Sequence, residues 1–211
     1  MTKFYVVRHG QSQGNEKRLF LGHTNLGLTE LGHKQAQRTA DFLKDKGIDI
    51  IYSSDLVRAY DTAKALGNIL GMEPIQTEEL REVYAGLWEG KAMTELREKF
   101  PQYHIWLSDI GNAECDEGES MVELAIRAEK AFLRLAEENP GKTIMVATHA
   151  ALIRSMCCVW KGIDIHDAQT VPWVSNGSVS SVSYNDGKWE VDYLGYDEHI
   201  SDILSKIPVS N

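Results

Sequence analysis

The residues of this chain that are best suited to chemistry lie near its N-terminus, directly after a short apolar run. Residues 4–7, Phe-Tyr-Val-Val, predict a strand that is buried on both faces. Arg8, His9 and Gly10 follow without a spacer, at the strand end where open α/β sheets bind ligands. A guanidinium donates to phosphate or carboxylate, an imidazole can act as nucleophile, acid, base or ligand, and a glycine admits close backbone approach. The segment therefore predicts an anion site with a reactive histidine.

Arg58 holds the equivalent place after the next predicted strand, residues 48–52. It lies in the first turn of a predicted helix, away from the apolar stripe of that helix. A helix N-terminus attracts anions, and a guanidinium there adds a full positive charge. A solvated surface arginine is the commoner fate of this residue type, but the match with Arg8 favours phosphate binding.

His149 follows a third predicted strand, residues 142–148, and precedes a predicted helix over residues 150–160. A single histidine is more often structural than functional. Two histidines and two arginines at three strand ends are harder to dismiss, because open α/β sheets bind ligands at this edge. We therefore expect the four side chains to share one site.

The elements that must position these residues alternate between strand and helix, which predicts a mostly parallel sheet covered by helices. Three further helices are predicted from apolar spacing and capping residues. They are a helix over residues 30–46 ended by Gly47, a helix that follows the caps Ser53-Ser54-Asp55, and a helix between the capping box of Ser120 with Glu123 and the stop at residues 139–141.

The C-terminal part of the chain predicts a β-hairpin, with strands over residues 176–184 and 189–194 around an Asn-Asp-Gly turn. This hairpin should extend the sheet at an edge. Residues 91–118 are the least readable region, with a short helix from Met93 that ends at Pro101. Their aromatic residues either pack a subdomain or form a cap over the site, and packing is the better supported reading.

The composition is that of an ordinary globular protein, with 43% hydrophobic and 25% charged residues in a chain of 211. The formal net charge of −9 disfavours nucleic acid or an anionic membrane as the main partner. We find no signal peptide, no apolar run that could cross a bilayer, and no linker, and we expect a single domain over residues 1–211. Cys115, Cys157 and Cys158 show neither metal nor redox spacing, which predicts buried free thiols in a cytoplasmic setting.

Three blocks of the sequence resemble the motifs of the histidine phosphatase (phosphoglycerate mutase-like) superfamily. The first is Arg8-His9-Gly10 with Ser12 and Asn15 behind it. The second is Leu-Arg-Glu at residues 80–82 with Gly-Leu-Trp-Glu-Gly at 86–90, and the third is Thr-His-Ala at 148–150. With Arg58, the motifs occur in the order of the family. The resemblance implies a three-layer α/β sandwich with helices on both faces of the sheet.

The resemblance also implies a mechanism that needs no metal and no cofactor. His9 is expected to be the nucleophile, and Arg8, Arg58 and His149 to bind the oxygens of the phosphoryl group, with His149 cationic or donating. Four glutamates near the second motif could supply the proton, namely Glu78, Glu79, Glu82 and Glu89, and the resemblance selects Glu82. Further contacts with the substrate are expected from Gly10, Gln11, Asn15, Leu21, Gly22 and Ala150.

These residues predict a phosphatase that acts on a small-molecule phosphomonoester. A mutase of the same superfamily is the alternative, but Leu21 replaces the family's usual threonine and no paired arginines follow the second motif. A metal site of His9, His149 and Glu82 is disfavoured by the two arginines beside it. A non-catalytic binding protein would be expected to lose His9 or Glu82. The natural substrate and the oligomeric state, including a homodimer, are left open.

Overall fold

The protein is described by a computed structural model over residues 1–205. One mixed sheet lies at its centre, with strand order β3-β2-β4-β1-β5-β6. The strands are β1 (Thr2–Arg8), β2 (Ile50–Ser54), β3 (Ile75–Thr77), β4 (Thr143–Thr148), β5 (Val179–Asn185) and β6 (Lys188–Tyr196). The α-helices are α1 (Gln13–Glu16), α2 (Glu30–Leu43), α3 (Val57–Leu70), α4 (Met93–Lys99), α5 (Pro101–Ser108), α6 (Met121–Glu138) and α7 (Ala150–Lys161).

The sheet confirms the predicted fold class. Strands β1, β2, β3 and β4 run parallel, whereas β5 pairs antiparallel with β1 and with β6, so the hairpin forms one edge. Apolar residues of α2 and α3, such as Leu43 and Leu66, are buried on one face of the sheet. Leu124 and Phe132 of α6 and Leu152 of α7 belong to a second core on the other face. The result is three layers, helix on sheet on helix.

Some element boundaries around β2 differ from the prediction. The strand extends to Ser54, because Ser53 and Ser54 pair with Gln76 and Thr77 of β3 and are therefore not capping residues in a loop. Helix α3 starts at Val57, after Leu56, which provides no side-chain cap. Helix α2 ends at Leu43 rather than at residue 46, since a turn intervenes before the left-handed Gly47.

The prediction for residues 91–118 was correct for one helix and did not include its neighbour. Helix α4 starts at Met93 and ends before Pro101 as expected, and Pro101 then opens a second helix, α5. Proline lacks only an amide hydrogen that the first turn of a helix leaves unpaired, so this position accepts it. Tyr103 and Trp106 of α5 pack edge-on around Phe20 and Trp88 in the core, as expected for a packed subdomain. A cap over the site stays a prediction.

The single domain predicted for residues 1–211 includes six residues, 206–211, that lie outside the described part of the chain. A search of residues 1–205 finds no helix with the length and apolar character needed to span a membrane.

Candidate active site

The four side chains expected to share a site follow three neighbouring strand ends. Arg8 lies opposite Thr148 in the register of β1 and β4, so His9 and His149 leave the sheet at the same level. Their rings are 5.1 Å apart between centroids, in an edge-on arrangement. Strand β2 pairs with the other side of β4, and Arg58 follows it in the first turn of α3. The parallel sheet thus brings these residues to one edge.

His9 is fixed in one tautomer by its own backbone surroundings. Its Nδ1 lies 2.7 Å from the carbonyl oxygen of Gly10, which can only accept, so Nδ1 carries the hydrogen and Nε2 carries the lone pair. The residue is only 4% exposed. Burial, followed by the charges of Arg58 and Arg8, lowers the pKa of His9 well below its ordinary value. His9 is therefore a neutral imidazole with a free nucleophilic nitrogen at neutral pH.

The backbone on either side of His9 is held from several directions. The His9 carbonyl accepts from Asn176 Nδ2 at 3.0 Å, and the Gly10 amide donates to Thr62 Oγ1 at 3.0 Å. A Cβ at position 10 would lie 2.3 Å from the carbonyl oxygen of Gly32, so only glycine fits where α2 meets this loop. His9 is thus part of a turn that is fixed on several sides.

Arg58 is almost completely buried, with 1% of its surface exposed, although an exposed arginine was the alternative considered from sequence. Its Nη1 donates to the carbonyl of Thr24 and its Nη2 to the carbonyl of Gly22, both at 2.8 Å. Burial lowers the pKa of Arg58 to about 10, which leaves the guanidinium charged at neutral pH. The two carbonyls orient this cation without neutralising it.

Arg8, the last residue of β1, has only part of its hydrogen-bonding capacity satisfied. Its Nη1 donates to the Val174 carbonyl at 2.5 Å, while its buried Nε has no hydrogen-bond partner in residues 1–205. Burial lowers the pKa of Arg8 to about 10, so it too remains a cation. Buried polar groups without partners are rare in folded proteins, and such a donor points to a ligand.

His149 has the most unusual environment in the site. It caps α7 and is completely buried, yet neither ring nitrogen has a hydrogen-bond partner among the described residues. Burial, then the charges of Arg58 and His9, lowers the pKa of His149 well below its ordinary value. The sequence led us to expect a cationic or donating His149; the structure favours a neutral imidazole, which still has one N–H to donate.

The Glu82 side chain is bound to the N-terminus of α7, the helix that directly follows His149. Its carboxylate accepts from the amides of Ala151 at 3.1 Å and Leu152 at 3.3 Å, and from its neighbour Val83 at 3.0 Å. The Thr148 hydroxyl binds the Leu80 carbonyl at 2.7 Å and so joins the end of β4 to this segment. The carboxylate is therefore placed beside the histidine that ends the same strand.

Arg127 of α6 fixes the backbone that presents Glu82. It donates to the carbonyls of Glu79 at 2.8 Å, Arg81 at 3.0 Å and Glu82 at 3.1 Å. Its other side forms a two-point ion pair with Glu119, with contacts of 2.9 and 2.8 Å. Three carbonyls and a carboxylate thus surround one guanidinium, and the segment cannot shift without breaking several hydrogen bonds.

The other three glutamates considered as proton donors have different partners. Glu78 pairs with Arg81, and Glu79 pairs with Arg134. Glu89 accepts from the amides of His23 at 2.6 Å, Thr24 at 2.7 Å and Ala85 at 3.1 Å, and also binds the Thr24 hydroxyl. Glu89 therefore holds the loop whose carbonyls orient Arg58.

The remaining predicted contact residues are spread around the first loop. The Asn15 Oδ1 accepts from Ser12 N and Asn176 Nδ2, which leaves its own amide donor without a partner in residues 1–205. The Gln11 side chain accepts from Thr29, and the Leu21 side chain packs over Gly14. Gly10 and Gly22 hold the positions already described, and Ala150 is the first residue of α7.

Four residues hold the site in place through hydrogen bonds, and the sequence did not predict this role for any of them. Thr62 and Asn176 lie within predicted elements, and neither has a spacing signal that relates it to His9. Arg127 reads as one more polar residue on the solvent face of α6. Glu89 was considered only as an acid, although its place beside the glycine of a Gly-Leu-Trp-Glu-Gly run could have suggested a loop anchor.

The structure describes neither a reactive thiol nor a metal cluster near these groups. Burial raises the pKa of Cys157 to about 12 and that of Cys115 further, and all three cysteines are free and buried. Within residues 1–205, no three His, Cys, Asp or Glu side chains are arranged to hold a metal ion. The candidate chemistry is therefore that of an imidazole, a carboxylate and two guanidiniums.

Comparison with known proteins gives a family for this arrangement. The model of the histidine phosphatase superfamily (branch 1) matches residues 4–197, from the start of β1 to just beyond β6. The chain belongs to the histidine phosphatase superfamily. The resemblance seen in the sequence motifs is thereby confirmed.

Relatives in the histidine phosphatase superfamily carry more than one kind of name. The chain is 30% identical over 166 residues to phosphoserine phosphatase 1 of Hydrogenobacter thermophilus, which covers 78% of this chain and 79% of that protein. It is 32% identical over 206 residues to phosphoglycerate mutase-like protein 4 of Arabidopsis thaliana, covering 95% and 88%. The solved structure of Bacillus stearothermophilus YhfR superposes with a TM-score of 0.91 at 26% identity, covering 95% of this chain and 100% of that one.

Proposed function

We propose that this histidine phosphatase superfamily protein is a metal-independent phosphomonoester hydrolase that works through a phosphohistidine at His9. One observation carries the proposal: the free Nε2 of His9 lies in a buried cluster with two charged guanidiniums and with donors that have no protein partner. A dianionic phosphate would satisfy those donors and balance both cations. The 30% identity to phosphoserine phosphatase 1 of Hydrogenobacter thermophilus supports the assignment.

In the first step, the lone pair on His9 Nε2 attacks phosphorus while the bond between phosphorus and the leaving oxygen breaks. A P–N bond replaces the P–O bond, and Glu82 gives its proton to the leaving oxygen, so an alcohol departs. In the second step, Glu82 takes a proton from water, the water oxygen attacks phosphorus and the P–N bond breaks. Inorganic phosphate leaves, and His9 regains its lone pair.

The cations act on the charge of the transferring group. Arg8 through its unpartnered Nε and Arg58 through the N–H groups that Gly22 and Thr24 do not use would bind the equatorial oxygens, with the N–H of His149 as a third donor. Because both guanidiniums are already held by protein carbonyls, little reorganisation of these cations is needed when charge shifts in the transition state. The unused amide donor of Asn15 would add a further contact.

Hydrolysis is favoured over phosphoryl isomerisation because the arginines near the second motif are held in ion pairs with carboxylates. Arg81 is paired with Asp55, Arg127 with Glu119 and Arg134 with Glu79. A mutase must hold a second acidic group of its substrate, and none of these cations is free for that role. The mutase-like relative keeps isomerisation as the competing assignment.

The proposed setting and partners follow from charge and cysteine usage. We place the protein in the cytoplasm, which the three free buried thiols support. A small-molecule phosphomonoester is the proposed partner, and a net charge of −9 argues against nucleic acid. A homodimer stays a prediction, to be tested by sedimentation.

The decisive experiment is hydrolysis of p-nitrophenyl phosphate in the presence of a chelator. The wild-type protein should release nitrophenol at the same rate with and without chelator. His9→Ala should reduce kcat by roughly 10³–10⁶-fold while circular dichroism shows a folded chain. Undiminished activity in His9→Ala, or loss of wild-type activity with chelator, would overturn the assignment. A parallel incubation with phosphoglycerate and a bisphosphoglycerate primer should give free phosphate rather than the isomer.

A further inference from the structure

A pair of aromatic side chains, His23 and Tyr84, lies beside the residues that would meet the leaving group. His23 follows Gly22, whose carbonyl binds Arg58, and its Nε2 lies 3.0 Å from the Glu82 carbonyl. Tyr84 is two residues beyond Glu82, and its ring is 5.2 Å from that of His23 between centroids. The acid must reach the leaving oxygen, so side chains beside the Glu82 backbone are candidates to meet the alcohol. The mechanism proposed above uses neither ring.

The pair offers an aromatic face and a hydrogen-bond acceptor. Tyr84 has 46% of its surface exposed, so its ring is accessible to a bound molecule. The Glu82 carbonyl can only accept, so His23 Nε2 carries the hydrogen and Nδ1 carries a lone pair. That Nδ1 has no partner within residues 1–205. Burial lowers the pKa of His23, which keeps the ring neutral at neutral pH.

A segment that carries several carboxylates packs behind the pair. The segment 114–119 packs directly behind Tyr84, since the Glu119 amide donates to the Tyr84 carbonyl and the Leu87 amide to the Asp116 carbonyl, both at 2.8 Å. Two carboxylates of this segment, Glu114 and Glu117, are exposed. The cations described nearby are already engaged. Arg58 is held by the carbonyls of Gly22 and Thr24 and would bind the phosphate. Arg81 and Arg127 are held in ion pairs. A leaving group with its own negative charge would find carboxylates here and, within the described part of the chain, no cation left to pair with it.

We propose that His23 and Tyr84 form a leaving-group subsite that selects alcohols carrying an N–H or O–H donor and no second anionic group. The inference rests on the proposed function, because it concerns the same active site. A donor would bind the lone pair of His23 Nδ1. An ammonium would gain most, since the Tyr84 ring attracts cations and the neighbouring carboxylates add to that attraction. A carboxylate on the alcohol would gain from none of these groups.

Three esters of nearly the same size test this selectivity: aminoethyl phosphate, hydroxyethyl phosphate and carboxymethyl phosphate. The kcat/KM values should fall in that order, with the first about tenfold above the last at low ionic strength and less at high salt. Equal values, or a preference for the carboxymethyl ester, would overturn the subsite. p-Nitrophenyl phosphate separates the two proposals. Its hydrolysis without the expected order removes only the subsite, whereas no hydrolysis of any of the four esters removes the proposed function and the subsite with it.

Variants of the pair show whether these side chains cause the selectivity. Tyr84→Ala should lower the ratio of aminoethyl to carboxymethyl kcat/KM about two- to fivefold, while Tyr84→Phe should keep the ratio because the ring remains. His23→Gln retains an N–H for the Glu82 carbonyl but has no acceptor at the position of the ring Nδ1, and should slow the hydroxyethyl ester about fivefold relative to the nitrophenyl ester. Unchanged ratios in both Tyr84→Ala and His23→Gln would refute the proposal.

Ile69 provides a matched control for these changes. It is an exposed apolar residue at the far end of α3, eleven residues from Arg58 and thus about 17 Å away along the helix. Ile69→Ala should leave every ratio at the wild-type value. A shift as large as that of Tyr84→Ala would show that the ratio responds to general destabilisation, and would count against the subsite.

Discussion

The two ends of the active site are built in different ways. The phosphate end consists of residues that follow strands, His9, Arg58 and His149, and all three are buried. The leaving-group end consists of His23 and Tyr84, which lie in loops and are partly or largely exposed. The pairing register of the strands fixes the positions of the residues at the phosphate end. Contacts between loops alone fix the residues at the leaving-group end. Under the proposed assignments, the sheet determines the reaction and the loops determine which alcohol is accepted, and the two should separate under mutation.

Glu82 lies where the two ends meet, and its removal gives the largest effect that depends on the leaving group. Glu82→Gln keeps the shape of the side chain but has no acidic proton to transfer to the leaving oxygen. Alkyl esters, whose alcohols are poor leaving groups, should lose roughly 10²–10⁴-fold in kcat, and the nitrophenyl ester much less. The comparison is made by steady-state rates on both ester types. Equal losses would show that Glu82 does not act as the acid.

Glu89 tests the phosphate end through a residue that touches no substrate. Glu89→Ala leaves the amides of His23 and Thr24 without an acceptor, which should loosen the carbonyls that orient Arg58. We expect about a tenfold loss of kcat/KM for every ester, and a loss of about 1–3 kcal/mol in the free energy of unfolding. Glu89→Gln, which keeps one acceptor oxygen, should recover part of both losses. A kcat/KM at the wild-type value in Glu89→Ala would contradict this positioning role.

The smallest expected effect is a pH dependence of stability that arises at the phosphate end. The folded protein keeps His9 and His149 neutral, with each pKa well below the unfolded value of about 6.5. As the pH falls below that value, the unfolded chain binds protons that the folded chain does not. The free energy of unfolding should therefore decrease, by up to about 1.4 kcal/mol per pH unit for each histidine, and this stabilisation is fully present only above pH ~6.5.

Urea unfolding between about pH 7.5 and pH 5.5 measures this slope. His149→Gln removes one of the two groups and should give a shallower slope than the wild type. His23→Gln serves as the comparison from the exposed end, where a half-buried ring should contribute less. An identical slope in wild type and His149→Gln would show that His149 is protonated in the folded protein.

The sequence predicted the phosphate end far better than the leaving-group end, for a physical reason. A buried strand followed by His9 or His149 is a local pattern, and parallel pairing then brings such strand ends together. The capping box of Ser120 with Glu123 and the Asn-Asp-Gly turn are equally local, and both are present in the structure. These features needed no knowledge of distant contacts.

Long-range contacts account for what the sequence could not show. Asn176 donates to the carbonyl of His9, which is 167 positions away in the sequence. Arg127 donates to carbonyls that are 45 to 48 positions away. Such contacts leave no periodicity in the chain. The end of β2 was misplaced for the same reason, because Ser53 and Ser54 are polar residues that become strand only by pairing with β3.

The most direct test of the central claim is a rapid-quench experiment under single-turnover conditions with a radiolabelled phosphomonoester. The account predicts that label appears on the protein before free phosphate, is lost in acid but stable in base, and maps to the peptide that contains His9. The same label should be absent in His9→Ala. Turnover without a labelled protein, or label on any other residue, would contradict the phosphohistidine mechanism.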